Sequence, residues 1–572
     1  MNAIRRALAA GYESLAVWAD LLDRINVFPV ADGDTGANLR LSLAPLRDGA
    51  TGSTPMWDLL ARCAVGNSGN IAAAFFREFC RAEAFGGLAE QAATGREKAW
   101  QALARPQAGT MLNAFDCLVP ILNGNPDPAK LYPLLCKELH QAVLATSQTL
   151  PDLRQAGVVD SGALGMYLFF EGFFRKLAGP VPEPPSILEL FAGKLSIGGN
   201  FQLKPAEGNY CVNAVIQTGE RQAGAAEELA DFGDSLVILP AESELKVHIH
   251  TADRQQLRAR LSALGEIVHW SDEAIDPQGG GLAWSAGPAE KPVMHIMTDA
   301  AGSLAQKLAR SHAITLLDSY ILAGDQSRPE SLCSPAEIYS LMRKGAKVTT
   351  AQASISERHQ RYQSVCRQFG RTLYLCVGSA FTGNYDLARR WQAEHDPDHL
   401  LEVVDTGAAS GRLGLIALLT ARYAGQAARP EEVVAFAGKI ITDCEEYIFV
   451  DELRYLAAGG RVSWAGGMLA DLLHLKPVIS PTSQGARKAG VVRGQKGQLS
   501  FAMERLQERF AASTTPVIML QYSDNREWVI NTVEPRVREL LPRAEILRTP
   551  LSLTSGVHLG PGTWAMAWAG GG

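Results

Sequence analysis

From residue 1 to about 178 the apolar positions recur at helical spacing, as at Leu15, Trp18, Leu22 and Ile25 and again at Phe75, Phe76 and Phe79, and few stretches alternate as a half-buried strand would. The pattern predicts a helical domain over 1–178. It closes at Gly179-Pro-Val-Pro-Glu-Pro-Pro185, where prolines deny the chain both helix and ladder hydrogen bonds. Short alternating segments follow at 235–239 and 245–250, parted by a turn-like Pro-Ala-Glu-Ser-Glu, and predict a small α+β domain with a hairpin over 195–285. Beyond a glycine-rich break at 276–281, strand-like runs at 293–297, 373–377, 401–404 and 517–521 alternate with helical segments such as 335–344 and 412–424. That alternation predicts an α/β domain with a mainly parallel sheet over 292–572. No segment repeats at a fixed period, which sets solenoids and propellers aside.

Composition narrows the classes. With 572 residues, 47% hydrophobic and 20% charged, the chain has the apolar content of a multidomain globular protein and not of a disordered one. Its 60 acidic against 54 basic side chains give a formal charge of −6 with no basic run, so no nucleic-acid partner is expected. The nine cysteines contain no CxxC pair and suit a reducing compartment. The first twenty residues read as an amphipathic helix and not as a secretory segment. Apolar runs at 162–174 and 413–424 are interrupted by Glu171 and Arg422 before reaching the ~20 residues of a bilayer span. A cytoplasmic protein is expected.

The densest chemistry is NVFPVADGDTGANL at 26–39. Asp32 and Asp34 flank a glycine, which lets both carboxylates aim at one hard cation, and the glycines let backbone amides approach phosphate oxygens. Gly66-Asn67-Ser68-Gly69 opens an apolar helix, and GVVDSGALG at 157–165, with Asp160, opens another. Taken singly, each is an ordinary cap and turn. Together, three phosphate-capable turns in one domain predict a nucleotide site.

These three motifs resemble the ATP-binding domain of bacterial fatty acid kinase, itself similar to the nucleotide-binding subunit of the dihydroxyacetone kinases. The resemblance covers about 1–178 and implies ATP with Mg²⁺. It implies that Asp32 and Asp34 hold the metal as catalytic residues, and that Thr35, Asn38, Leu39, Gly66, Asn67, Ser68 and Gly69 surround the phosphates. Thr110 and Met111 would lie near adenine, and Asp160 in the closing turn of the pocket. The dihydroxyacetone kinases bring a third aspartate to their metals; the matching position here is Asn26, as in the fatty acid kinases.

In the predicted second domain, His248 and His250 stand two apart on a strand and so share a face. Two imidazoles supply half of a tetrahedral zinc site. Asn209-Tyr-Cys211, Gly233-Asp-Ser-Leu-Val and Lys246-Val-His-Ile-His-Thr251 are similar to the middle domain of fatty acid kinase. That resemblance implies Zn²⁺ on Cys211, His248 and His250, either structural or catalytic, with no fourth ligand identified. CVNAVI replaces the family's usual Cys-Thr-Glu.

The last 280 residues place hydroxyls where strands end, as at Thr298, Thr349, Thr350, Ser379, Thr382 with Gly383, and Thr406, which is where open α/β sheets present ligand sites. With the stretch 451–463 and HLGPGT at 558–563, these segments resemble the DegV family of fatty-acid-binding proteins over 293–570. The resemblance implies that Thr350, Ser379, His558 and Arg493 hold an acyl carboxylate, His558 and Arg493 also serving the reaction, with Thr349, Thr382 and Gly383 around them. Ala351 and Ala353 stand where the family's Thr-Ser-Gln-Pro motif has serine and proline.

A fatty carboxylate, with a reference pKa near ~4.3, is already ionised at neutral pH, so phosphoryl transfer to it needs charge neutralisation and no general base. About 14 methylenes of a C16 chain at roughly 0.8 kcal/mol each amount to on the order of 11 kcal/mol, which favours a dedicated pocket. In the family, the kinase and acyl-binding parts are separate proteins; joined in one chain, they meet at an effective concentration set by linkers. The expectation is an ATP-dependent fatty acid kinase that makes acyl phosphate for phospholipid synthesis. Its expected partners are a long-chain fatty acid and a downstream acyltransferase that uses acyl phosphate; transient membrane contact and a homodimer are compatible with it. The alternatives are a non-catalytic fatty-acid carrier or sensor with a regulatory nucleotide domain, and a dihydroxyacetone-type kinase for a small polyol.

Overall fold

The helical periodicity of the first third becomes a bundle around one central helix, Ser161–Ala178, in which every residue from Ser161 to Phe174 is buried. A helix that is apolar on all sides has to be wrapped by others. Helix Ala3–Val17 runs along it, and the two approach closely because glycines face the crossing. A Cβ at Gly11 would stand 2.8 Å from the Phe169 carbonyl oxygen, and one at Gly172 would stand 2.8 Å from that of Ala10. On another side Phe75 stacks on Phe115 at 4.0 Å, with Phe79 and Phe170 against it. Each such ring contributes roughly 1.5–3 kcal/mol by leaving water. The computed structural model describes residues 2–48, 54–124, 127–182, 184–198, 201, 210–218, 225–240, 243–275, 292–458 and 475–570. Glu183, Asn209, the break at 276–281 and residues 459–463 lie outside them.

The alternating segments form β1 (Tyr210–Gln217), β2 (Asp234–Pro240), β3 (Glu244–Thr251) and β4 (Glu266–Ala274). They pair antiparallel in the order β2-β3-β1-β4, and helix Arg254–Leu264 covers one face with Leu257 and Leu261. This sheet is docked on the helices. Leu103 bridges Val237, the Ile238 amide donates to the Ala102 carbonyl at 2.8 Å, and Lys246 Nζ reaches the carbonyls of Ala61 and Arg62, each at 3.2 Å. The helical and α+β parts accordingly belong to one unit, Met1–Ala286, and Gly287–Gly572 form a second.

In the second unit, β5 (His295–Asp299), β6 (Ile314–Leu317), β7 (Ser319–Ala323), β8 (Gln326–Pro329), β9 (Val348–Gln352), β10 (Thr372–Cys376) and β11 (Leu401–Asp405) come first. The parallel sheet expected from the alternation has the order β11-β10-β5-β6, and β8-β7-β9 make a small antiparallel one. Next come β12 (Glu445–Phe449), β13 (Leu475–Thr482), β14 (Gly485–Arg493), β15 (Val517–Tyr522), β16 (Glu545–Pro550) and β17 (Trp564–Ala569). These form a further sheet in the order β14-β13-β12-β17-β15-β16, in which only β15 and β16 pair parallel. The run at 517–521 therefore belongs to this six-stranded sheet and not to the parallel one. Helix Ser410–Ala424 shares one apolar core with Ile296 and Leu375 of the parallel sheet and with Met519 and Ala567 of the other. Among the described residues, no helix is long and apolar enough to cross a membrane, and all nine cysteines are free thiols.

Candidate functional site

Three helix starts meet in the first unit. Thr35 opens helix Thr35–Leu43, Ser68 lies in the first turn of helix Gly66–Phe79, and Ser161 opens the central helix. Ser68 Oγ donates to Thr35 Oγ1 at 3.3 Å and Ser161 Oγ donates to the same atom at 3.1 Å. Thr35 Oγ1 thus accepts twice and keeps its own proton to give elsewhere. Gly36 is required by packing: a Cβ there would lie 2.1 Å from the Ala19 carbonyl oxygen. The Gly36 and Ala37 amides are already taken by Asp23 Oδ1, at 2.6 and 3.1 Å, so this helix start offers its hydroxyl and not these amides. Helix Gly66–Phe79, by contrast, begins without a side-chain cap, and its first amides are the ones suited to an anion.

The three starts border a cavity of about 390 Å³, within the usual range for a small-molecule site. Of the residues expected around a nucleotide, Thr35, Asn67, Ser68, Thr110, Met111 and Asp160 line it. Ser161, Arg105 and, from the sheet, Asp234 line it as well and were not among the expected positions. Asn38, Leu39, Gly66 and Gly69 are not part of this lining. Leu39 is fully buried in the helical core, the Asn38 side chain occupies the space a Cβ on Gly66 would need, and Gly69 packs on Ser42. These four shape the turn. Asp160 caps the central helix through Ala163 N at 2.7 Å, and burial pushes its carboxyl up to about 7 against the lowering effect of the Ala163 and Gly162 amides.

Asp32 and Asp34 are not part of this lining; they sit between Ala31 and Thr35, which are. Asp32 is exposed; the protein packed around its carboxyl, and then the Asp34 carboxylate, push that carboxyl well above the usual range. Asn26 Nδ2 donates to Asp32 Oδ1 at 2.6 Å, and Asn26 Oδ1 is left buried without a partner. Two repelling carboxylates beside an orphaned amide oxygen form an all-oxygen donor set, and a hard divalent cation fits it.

Cys211 on β1 lies opposite His250 on β3, and one ligand atom from each of Cys211, His248 and His250 falls within 4.8 Å of the others. Burial, with His250 and Lys246 nearby, lowers His248 to about 3, so its imidazole is neutral, the metal-binding form. Burial and then the Asp34 and Asp32 carboxylates raise the Cys211 thiol to about 12. Among the described residues His248 Nε2 is buried without a hydrogen-bond partner, and His250 Nδ1, buried too, has the Asp234 carboxylate 3.5 Å away. The donor set fits a zinc ion, which would deprotonate the thiol on binding. The influence of Asp34 and Asp32 on Cys211 places this cluster within electrostatic reach of the acid pair.

In the second unit Thr350 on β9 and His558 of helix Leu553–Leu559 come together, with Thr350 Oγ1 3.3 Å from His558 Nε2. Thr349 precedes Thr350 on the same strand. Ser379 is exposed, and its hydroxyl and amide both donate to Asp405, at 2.5 and 3.1 Å. Thr382 caps the turn through Asn384 N at 3.3 Å, Gly383 precedes helix Asn384–His395, and Arg493 is exposed at the end of β14. A residue given no role by the sequence reading organises this region. Asp299 accepts from Arg358, Tyr374, the Val377 amide and Asn384, at 2.8–3.1 Å, and so ties the end of β5 to the loop carrying Ser379.

Three segments of the chain match known families. Residues 29–175 match the DAK2 domain, 207–279 the middle domain of fatty acid kinase-like proteins, and 293–570 the DegV family. An uncharacterized protein of Staphylococcus aureus strain bovine RF122 / ET3-1 is 28% identical over 351 residues, and one of strain USA300 is 27% identical over the same length. These alignments take in 55% of this chain and 63% of each relative, so the chain spans less than two thirds of the curated relatives' length. Among solved structures, a fatty-acid-binding DegV-family protein of Thermus thermophilus aligns with TM-score 0.45 and 24% identity, over 48% of this chain and 99% of its own. The fatty acid binding protein DegV of Bacillus subtilis aligns with TM-score 0.44 and 20% identity, over 49% of this chain and 100% of its own. The chain is a fusion of a DAK2 domain, a fatty acid kinase-like middle domain and a DegV-family domain.

Proposed function

We propose that this chain is a fatty acid kinase that transfers a phosphoryl group from ATP to the carboxylate of a long-chain fatty acid bound by its DegV-family domain. The observation that carries the reading is the convergence of the Thr35, Ser68 and Ser161 hydroxyls at one cavity, with the Asn26, Asp32 and Asp34 group in the loop whose neighbours Ala31 and Thr35 line that cavity. Hydroxyls and helix-start amides bind phosphate oxygens, and Asp32 and Asp34 hold Mg²⁺, with Asn26 Oδ1 as a further donor. The bound cation supplies neutralisation of the triphosphate charge. Thr35 donates its free proton to a phosphate oxygen, and Ser68 and Ser161 fix the direction of that donation. Met111 and Thr110 face the base. Thr350 and His558 hold the acyl carboxylate, whose low reference pKa makes it a nucleophile without a base.

The DAK2 and fatty acid kinase-like matches favour a carboxylate acceptor in this chain over a small polyol, because the middle domain and DegV-family domain accompany the nucleotide domain. Incubation of the whole chain with Mg-ATP and palmitate, followed by hydroxylamine, should give palmitoyl hydroxamate, and Asp32→Ala should abolish it. Lipid that binds without any hydroxamate would reject catalysis and favour the carrier or sensor reading.

A further inference from the structure

We infer that Asp234 is the carboxylate that orients His250 for metal binding and joins the Cys211-His248-His250 cluster to the nucleotide cavity. Its position follows from the sheet. On β3, His250 has Cys211 opposite it on β1 and Asp234 opposite it on β2, so the three side chains form a row across adjacent strands. Asp234 Oδ1 is 3.5 Å from His250 Nδ1, and both atoms are buried without a closer hydrogen-bond partner. The same aspartate lines the cavity, between Gly233 and Ser235, which line it too.

The backbone holds Asp234 in this place at some cost. The β2–β3 register shifts between Asp234 and Val237, and such a bulge re-aims a side chain. Ser235 has φ of +54°, the left-handed region that a residue with a Cβ seldom adopts. A Cβ on Gly233 would stand 1.9 Å from the His250 carbonyl oxygen, so the chain presses against the ligand strand just before the aspartate. A carboxylate that accepts from Nδ1–H fixes the imidazole tautomer and leaves Nε2 free to ligate, the usual arrangement outside a zinc-bound histidine. Any occupant of the cavity that touches Asp234 then acts on His250, and by linkage the metal acts equally on that occupant's affinity. This second half rests on the nucleotide reading; the orientation of His250 does not.

The test uses the whole chain, loaded with Zn²⁺ or Co²⁺, with zinc affinity read by chelator competition and Co²⁺ geometry by visible absorption. Asp234→Ala should weaken zinc by about 10–100-fold and alter the cobalt spectrum, with Asp234→Asn, which keeps an acceptor oxygen, between it and the wild type. A non-hydrolysable ATP analogue should bind the wild type with an affinity that changes on zinc removal, and bind Asp234→Ala with one that does not. Wild-type zinc affinity in a folded Asp234→Ala would overturn the inference. If that variant does not fold, unchanged affinity and spectrum in Asp234→Asn would overturn it instead. Failure of the analogue to bind the wild type would reject the nucleotide reading and leave the zinc result standing.

Discussion

Ser161 Oγ donates to Thr35 Oγ1 across 126 residues of sequence, at 3.1 Å, joining the first turns of two helices at the cavity wall. With Ser68 as a second donor, the threonine oxygen accepts twice and its proton is left to be donated. Thr35→Val keeps the shape and removes that donor. A hydrogen bond to a charged group contributes about 1.5–3 kcal/mol, so nucleotide affinity measured by calorimetry should fall by about 10–100-fold with the fold intact. Ser161→Ala removes only the orientation and should cost less. Equal affinities for Thr35→Val and wild type would mean that the cavity holds no phosphate at Thr35.

The acid pair should show itself in stability as well as turnover. Enclosure and Asp34 raise the Asp32 carboxyl in the folded chain, so its ionised form is disfavoured there relative to the unfolded chain. Asp32→Asn should therefore melt higher than the wild type at neutral pH without Mg²⁺, and the advantage should vanish on acidification below the ordinary carboxylate range. Added Mg²⁺ should raise the wild-type melting temperature and leave that of the variant unchanged. A variant that melts lower at neutral pH and still responds to Mg²⁺ would contradict this account of the pair.

Asp160 gives a second pH dependence with the same sign. Its carboxyl titrates at about 7 when folded, against an ordinary value of 3.8, so between these values the folded chain binds the proton more tightly and loses stability as pH rises. Asp160→Asn also caps a helix and has nothing to titrate. Its stability relative to wild type should climb from pH 4 to pH 7, by no more than roughly 4 kcal/mol at about 1.36 kcal/mol per pH unit. Denaturant unfolding at several pH values measures this; a flat difference would place the carboxyl at an ordinary pKa.

Much of this was legible in the sequence because it is local. The apolar spacing marked the central helix, the alternation around His248 and His250 marked their strand, and Asp32, Asp34 and Thr35 are nearly contiguous. What was not legible depends on distant pairing. Asp234 acquires its role only when β2 pairs with β3 and brings it opposite His250, and Ser161 meets Thr35 only through helix packing. The buried apolar run of β15 reads like a parallel strand from composition, and it is one on the β16 side only, since β17 on its other side runs antiparallel to it. Asp299 likewise acquires its role only from Arg358, Tyr374 and Asn384, which lie 59, 75 and 85 residues further along the chain.

That cluster makes the second unit sensitive to one substitution. Arg358 is 2% exposed and pairs with Asp299 at 3.1 Å while also donating to the Asp318 carbonyl. Removing one partner of a buried pair leaves the other charge uncompensated, at a cost of about 3–5 kcal/mol. Arg358→Met should destabilise the chain by that amount in the transition of the second unit, read by denaturant unfolding. A loss below about 1 kcal/mol, typical of an exposed pair, would mean that the carboxylate is satisfied without the guanidinium.

Thr350 and His558 offer the last discrimination, between lipid binding and nucleotide binding. They belong to the unit that does not contain the cavity proposed for the nucleotide, so their loss should affect one ligand only. If the proposed function holds, Thr350→Val and His558→Ala each remove a polar group from the acyl carboxylate and leave the rest of the acyl site unchanged. Affinity for a fluorescent long-chain fatty acid should therefore fall by about 10-fold and not vanish, since one polar contact is worth on the order of 1.4 kcal/mol and the alkyl chain several times that. The corresponding fatty alcohol, which has no carboxylate, should bind wild type and variants alike. If fatty acid binds both variants as tightly as the wild type, the carboxylate is held elsewhere, and Ser379 and Arg493 become the positions to substitute next.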